Sequence, residues 1–411
     1  MSQRYSLRCR GCGAAYPADD RHACERCLGP LEVVYELDGR GDALRRTIES
    51  GDGSIWRYWP LLPIDEPRDP GQVGWTPLQR ADRLGRQLGL RNLFLKNDTV
   101  NPSFSFKDRV VAIAAQKALE LGYGTIACAS TGNLAGAVAA AAARLGLEAV
   151  VFVPSTIEPA KLTAPTVYGA KVVEVDGTYD EVNRLCAQVA DERHWAFVNF
   201  TLRPYYVEGS KTLLFETAEQ LEWRLPDAVV IPVASGALFV NTAKAARELV
   251  DAELVRPLRA RLFGAQPEGC APVAAAFDHG EDHYVPVRTP RTIAHSLAIG
   301  APADGNAVLA LSRDSGGAVV SADDDAIVAA IRTVAEGEGI FVEPAAGVTL
   351  ACLARLAREG AIEPDDLVVA YLTGNGFKTP EVVPAPENRR IRIGARLDDF
   401  ERAFPQALEV A

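Results

Sequence analysis

A lysine stands where helix chemistry disfavours one. Residues 101–110, NPSFSFKDRV, pass from loop to helix: Asn101 and Pro102 end what precedes, Ser103 and Ser105 are N-cap types, and Asp108 suits a first turn. Lys107 in that turn opposes the helix dipole, so either solvent takes its amine or the fold holds it for chemistry. Three further stretches each follow a predicted strand and consist largely of small, hydroxylic or glycine residues: ASTGN at 129–133, ASGAL at 234–238 and LTGNG at 372–376. Ser130, Thr131 and Asn133 precede one helix, Ser235 and Gly236 another, and Thr373 and Asn375 mark the third stretch. Amides and hydroxyls so placed suit a carboxylate or a phosphate, though each stretch alone is as readily a plain cap. An amine able to attack an aldehyde, one cradle for phosphate and one for carboxylate are together the parts of a pyridoxal phosphate site for amino acids.

A second constellation lies at the N-terminus. Cys9 and Cys12 form one C-x-x-C pair and Cys24 and Cys27 another, with eleven residues between the pairs. Gly11, Gly13 and Gly29 supply turns that let backbone amides face sulfur, and the spacer suffices for a β-hairpin. Four soft ligands suit a tetrahedral zinc with no open position, hence a structural one. The alternatives are a ribbon that folds without metal, or two redox dithiols, which lack a β-α-β context here. Cys128, Cys186, Cys270 and Cys352 are scattered and read as buried small hydrophobes. His279 and His283 sit in an acid-rich, glycine-containing stretch that reads as a solvated loop, and the short basic run 387–393 reads as a surface or interface strand.

Placing these residues requires a scaffold. The chain has 411 residues, enough for roughly two to three domains, and 48% hydrophobic content supports a sizeable core. A net charge of −11 argues against non-specific nucleic-acid binding. No apolar run is long enough for a membrane span, and the polar N-terminus lacks a signal-peptide core, so a soluble cytoplasmic protein is expected. Apolar strands alternate with helices: strands at 92–98, 125–130, 148–154, 171–176 and 196–200, with helices at 105–121, 133–145, 158–169 and 178–193. A second series has strands at 228–235, 261–266 and 367–375, and helices at 237–250, 323–337 and 345–358. This pattern predicts two α/β domains with parallel sheets, and ligands outside the carboxyl ends of the strands. No strand is followed by G-x-G-x-x-G, which argues against a nicotinamide dehydrogenase.

NPSFSFKDR at 101–109, ASTGN at 129–133, EGSKT at 208–212 and TGNGFK at 373–378, in this order, resemble the fold type II pyridoxal phosphate-dependent enzymes, and most closely the threonine synthase-like group. The resemblance covers almost the whole chain, including the cysteine ribbon and the segments 292–305 and 339–347. It implies two doubly wound α/β domains of the tryptophan synthase β-like type with a small cysteine ribbon. The expected boundaries are 1–36 for the zinc-ribbon-like segment, 37–108 with 206–411 for the large cofactor-binding domain, and 109–205 for the small one. It also implies roles. Lys107 is the Schiff-base lysine, Phe106 packs near the cofactor ring, Asn133 bonds the 3′-oxygen and Thr373 faces the pyridine nitrogen. Ser235, Gly236, Ala237 and Leu238 cradle the phosphate, with Thr242 as a further hydroxyl. Ser130 and Thr131 hold the substrate carboxylate, Arg203 the substrate phosphate, and Glu343 and Glu208 support the site. The implied reaction converts O-phospho-L-homoserine and water to L-threonine and phosphate, in a homodimer.

Several positions depart from the group's pattern. Gly236 stands alone where the phosphate cradle usually has three or four glycines, Phe104 where many relatives have glycine, Phe200 and Thr201 where several have Asn-Ser, and Ala301 where asparagine is expected. They leave room for a cysteate synthase-like β-replacement on O-phospho-L-serine, or for a specialised amino-acid lyase or synthase. A catalytically silent binding protein is opposed by the intact Lys107, Asn133 and Thr373.

Overall fold

A period of two in burial builds the N-terminal ribbon. Tyr5, Leu7 and Cys9 of β1 (Tyr5–Cys9) are buried while Ser6 and Arg8 are exposed. β2 (Ala15–Tyr16) and β3 (Leu31–Tyr35) flank β1, both antiparallel to it, with Leu7 opposite Tyr16 and Val33. The inner face is not a separate core: Leu7 and Val33 belong to one buried cluster with Val110, Ala114 and Phe239 of the body. The computed structural model describes residues 4–37, 41–69, 71–257, 260–384 and 389–405.

The body has two sheets. β4 (Leu78–Arg80) and β5 (Asn92–Asn97) begin the larger one. The chain then forms the smaller sheet from β6 (Thr125–Ala129), β7 (Glu148–Pro154), β8 (Lys171–Val175) and β9 (Ala196–Phe197), in the order β8-β7-β6-β9, all parallel. It returns through β10 (Ala228–Pro232), β11 (Arg261–Pro267), β12 (Val319–Ala322) and β13 (Leu367–Leu372). The larger sheet has the order β12-β11-β10-β13-β5-β4, parallel except for β4. β10 and β13 are buried at every residue, as strands covered on both faces require. From β10 the sheet grows outward through β11 to β12, and the chain then crosses back to place β13 on the other side of β10. That reversal makes the carboxyl ends of β10 and β13 the switch point, where such sheets hold ligands.

Most expected elements are present, with shifted ends. The strands expected at 228–235 and 367–375 stop at Pro232 and Leu372, because the residues that follow turn into the loops described below. The strand expected at 196–200 is only Ala196–Phe197, and the helix expected at 158–169 is a short 3-10 turn, Pro159–Leu162, followed by Thr163–Val167. Arg389–Ile393 contains no strand, and residues 387 and 388 lie outside the described residues. Short or weakly capped elements escaped the pattern, including β4, β12 and the helix Gly305–Ser315. Among the described residues no helix is long and apolar enough to cross a membrane.

Candidate active site

Lys107 is the first residue of the helix Lys107–Glu120, a helix buried on nearly every side. The backbone before it is pinned to the loop after β13. The Phe106 N–H donates to the Thr373 carbonyl at 2.9 Å, Ser105 bridges Gly374, and the Asn375 N–H donates to the Phe104 carbonyl at 3.1 Å. Phe104 adopts φ +62°, a left-handed conformation that disfavours a residue with a Cβ. Ser103 closes the turn: its N–H and Oγ both donate to Asp108 Oδ2, at 2.8 and 2.9 Å, and its carbonyl accepts from Lys378 Nζ at 2.7 Å. Lys107 Nζ lies 5.1 Å from the Phe106 ring centroid and 6.0 Å from that of Tyr206, within range of the ring faces. Among the described residues its amine has no ion pair.

Asn133 opens the helix Asn133–Leu145, whose N-terminus has no side-chain cap. Its Nδ2 donates to Glu343 Oε2 at 2.8 Å. Glu343 is itself held at the same place, its N–H donating to the Gly374 carbonyl at 2.9 Å. A Cβ at Gly374 would fall 2.2 Å from the Glu343 carboxyl carbon, so glycine is the residue that lets this carboxyl approach the loop. Burial pushes the Glu343 carboxyl above its ordinary range, against the Asn133 bond and the charges of Lys378 and Lys107. Ser130 and Thr131 precede Asn133 on the same turn and are half-buried; Ser130 Oγ accepts from the Gly132 N–H at 3.4 Å.

Gly236, at φ +93°, heads the helix Ala237–Asp251, again without a side-chain cap. The first intrahelical bond into this turn runs from the Val240 N–H to the Gly236 carbonyl. The N–H groups of Ala237, Leu238 and Phe239 therefore emerge at an uncapped helix head, the arrangement that suits an anion. Thr242 does not add to it: its hydroxyl donates to the Leu238 carbonyl at 2.8 Å, one turn back within the helix. Because β10 and β13 are paired neighbours, this head and the 373–376 loop lie side by side. Arg203 Nη2 donates to Asp304 Oδ2 at 2.8 Å, and Arg10 Nη2 to Asp304 Oδ1 at 2.6 Å.

Beneath the lysine turn lies a buried charge network. Arg109, fully buried, donates to both oxygens of Asp98 at 2.7 and 2.8 Å and to both oxygens of Glu216 at 2.6 and 2.8 Å. Lys96 Nζ pairs with Glu216 Oε2 at 2.7 Å. Burial alone would raise Glu216, but Arg109 and Lys96 hold its carboxyl down at about 2. Glu208 belongs to a different network, with Lys211, Lys244 and Tyr35 beneath the ribbon.

The four ribbon sulfurs converge, all within 4.8 Å of one another. Cys9 Sγ is 3.5 Å from Cys27 Sγ, and Cys12 Sγ is 3.6 Å from Cys24 Sγ. Sulfurs bound tetrahedrally at about 2.3 Å from zinc would lie ~3.8 Å apart, close to these separations. The N–H groups of Gly11 and Cys12 face Cys9 Sγ at 3.3 and 3.5 Å, and that of Arg26 faces Cys24 Sγ at 3.4 Å. The cluster could hold a metal ion.

The structure thus brings Phe106, Lys107, Asn133 and Thr373 into one neighbourhood, sets Ser130 and Thr131 on the adjoining turn, and puts Ser235–Leu238 at the next strand's end. Tyr206, Lys378 and Asp304 complete the surroundings. Asp304 carried no sequence signal, since its partners lie far away in the chain. The donor set fits pyridoxal phosphate: an amine without an ion pair, an amide steered by a buried carboxyl and an uncapped helix head.

Comparison with known proteins agrees with this fit. Residues 70–374 match the family model described as pyridoxal-phosphate dependent enzyme. The chain is 35% identical over 402 residues to the threonine synthase of Methanosarcina acetivorans, covering 97% of this chain and 98% of that protein. It is 33% identical over 407 residues to the threonine synthase of Methanocaldococcus jannaschii, covering 97% and 99%. Among solved structures, the processed form of threonine deaminase isoform 2 from Solanum lycopersicum superposes with a TM-score of 0.65 at 22% identity, covering 84% of this chain and 88% of that one, a likeness of fold.

Proposed function

This chain belongs to the pyridoxal-phosphate-dependent enzyme family, as a threonine synthase-like lyase of fold type II, and we propose that it converts O-phospho-L-homoserine and water to L-threonine and phosphate. The observation that carries the reading is Lys107, whose amine has no ion pair among the described residues and whose turn is pinned to the Thr373–Asn375 loop beside the Asn133–Glu343 pair.

In this reading Lys107 anchors the cofactor and, once freed, takes and returns protons at the substrate carbons. When bound, the cofactor supplies an electron sink for negative charge next to the substrate amine. Asn133 has one amide hydrogen on Glu343, which leaves the other for the cofactor's 3′-oxygen. Phe106 packs by the ring, and Thr373 offers a hydroxyl to the pyridine nitrogen. Ser235, Gly236, Ala237 and Leu238 hold the phosphate through backbone amides. Ser130 and Thr131 take the substrate carboxylate, and Arg203 the substrate's phosphate. The cysteine cluster holds a structural zinc through Cys9, Cys12, Cys24 and Cys27, and the protein acts as a cytoplasmic homodimer.

A second reading is β-replacement on O-phospho-L-serine with sulfite. Phe200 lies tilted against His22, ring centroids 5.0 Å apart, and offers no polar group to the phosphate that either substrate carries, so it does not choose between them. The deciding assay measures released phosphate and the amino-acid product, first with O-phospho-L-homoserine and then with O-phospho-L-serine plus sulfite. Threonine from the first supports the proposal; turnover of the second alone overturns it.

A further inference from the structure

Resting on that reading of the cradle, we propose that Asp304 is a positioning residue for the phosphate-binding turn, and that Arg10 of the cysteine ribbon holds Asp304 in place. Asp304 touches the turn by its backbone. Its N–H donates to the Ser235 carbonyl at 2.9 Å. Gly236 packs directly on it: an added Cβ would lie 2.9 Å from Asp304 Cβ and 3.1 Å from its carbonyl carbon. Any shift of Asp304 therefore moves Ser235 and Gly236, and with them the N–H groups at the head of the 237–251 helix.

The side chain shows what keeps it there. Asp304 occupies the N-cap position of the helix Gly305–Ser315, where an aspartate ordinarily bonds the first free amides. It makes no such bond. Its carboxylate, only 5% exposed, is turned to two guanidiniums instead, Arg10 on Oδ1 and Arg203 on Oδ2. Arg203 comes from the body and Arg10 from the ribbon, between Cys9 and Cys12, with its own N–H on the Pro30 carbonyl at 3.0 Å. The cluster of four sulfurs thereby fixes where the Arg10 side chain starts. A second tie runs from Lys244, on the cradle's helix, to the Val33 carbonyl of the ribbon at 2.6 Å. The ribbon thus grips this helix near its head and in its second turn. That gives the cysteine motif a part in holding the cofactor's phosphate although no cysteine touches the site.

Charge and position make opposite forecasts. If Asp304 mattered only as a negative charge near a phosphate, removing that charge would tighten binding. If it holds the turn, removing it loosens binding. The test titrates full-length apoprotein, by visible absorbance, with pyridoxal 5′-phosphate and separately with pyridoxal, which lacks the phosphate. Asp304→Asn and Arg10→Gln are each expected to weaken pyridoxal 5′-phosphate about tenfold and to leave pyridoxal unchanged. Arg10→Lys keeps the charge but replaces the guanidinium whose Nη2 reaches Asp304 Oδ1 with a shorter side chain, and it is expected to weaken the phosphorylated form as well. This variant decides the matter if Asp304→Asn does not fold. Tighter or unchanged pyridoxal 5′-phosphate binding in Asp304→Asn or Arg10→Lys overturns the proposal, as do equal losses for both aldehydes. A parent protein that takes up neither aldehyde sinks the cofactor reading, and this inference with it.

Discussion

At the scale of single residues, the site is a set of groups denied their usual partners. Lys107 has aromatic faces but no ion pair among the described residues, and the Glu343 carboxyl is buried against Asn133 and Gly374. Because burial raises the Glu343 carboxyl, the native state takes up this proton before the unfolded state does as pH falls. Glu343 thus adds stability on acidification through its folded-state range and withdraws it at neutral pH. Glu343→Gln keeps an acceptor for Asn133 without the charge. Its melting temperature at neutral pH is expected to equal or exceed the parent's, with the difference shrinking in acid. The pH titration of the bound cofactor's absorbance should shift in the same variant. Lys107 was legible because a lysine in a first turn is locally anomalous, and the cysteines because their spacing admits few uses. The Asn133–Glu343 pair, 210 residues apart, and the pairing of Arg10 with Asp304, 294 apart, have no local signature. They exist only through the sheet order.

At the scale of elements, the lysine helix is positioned by close packing and by buried charge. Gly209 meets it so tightly that a Cβ there would lie 2.5 Å from the Arg109 carbonyl oxygen and 2.6 Å from Val110 Cα. Backbone cannot yield as a flexible side chain does, so Gly209→Ala is expected to cost about 2–3 kcal/mol in chemical denaturation. The charge network makes a separate forecast. Glu216 is held at about 2, below its unfolded value, so its contribution is complete above the unfolded carboxylate range and is lost as pH falls through the folded value. Arg109→Met leaves the buried Asp98 without its ion pair and Glu216 with Lys96 as its one remaining cation among the described residues. It should cost about 3–5 kcal/mol near neutral pH, and the deficit should narrow below about pH 4 as the acids protonate. Helix and strand alternation was readable from apolar periodicity in the long elements. β4 with three residues and β12 with four were too short to carry a period, and the helix at 305–315 opens on Gly305 with no side-chain cap. The loops that end β10 and β13 read as strand in sequence because Val233 and Thr373 suit strands; the Val233 N–H still bonds to Ala265 of β11, but the Ser235 carbonyl accepts from Asp304 and the Thr373 carbonyl from Phe106.

At the scale of the whole molecule, the parts of the site come from distant stretches of chain joined at one switch point, with the ribbon packed into the same core. A structural metal in that ribbon predicts one equivalent of zinc per chain by elemental analysis. A thiol-modifying reagent should release that metal while far-UV circular dichroism stays near native, since both body sheets form without ribbon strands. Metal-free protein with an unchanged melting temperature would contradict this. The account as a whole stands on one covalent attachment. Borohydride-treated protein reconstituted with pyridoxal phosphate, digested with trypsin and read by mass spectrometry, should carry the reduced cofactor on Lys107. Because trypsin does not cut at a modified lysine, the label should appear on the peptide Asn97–Arg109 and the unlabelled peptide ending at Lys107 should be depleted. A label on Lys378 or any other lysine, or no label at all, would contradict the central claim.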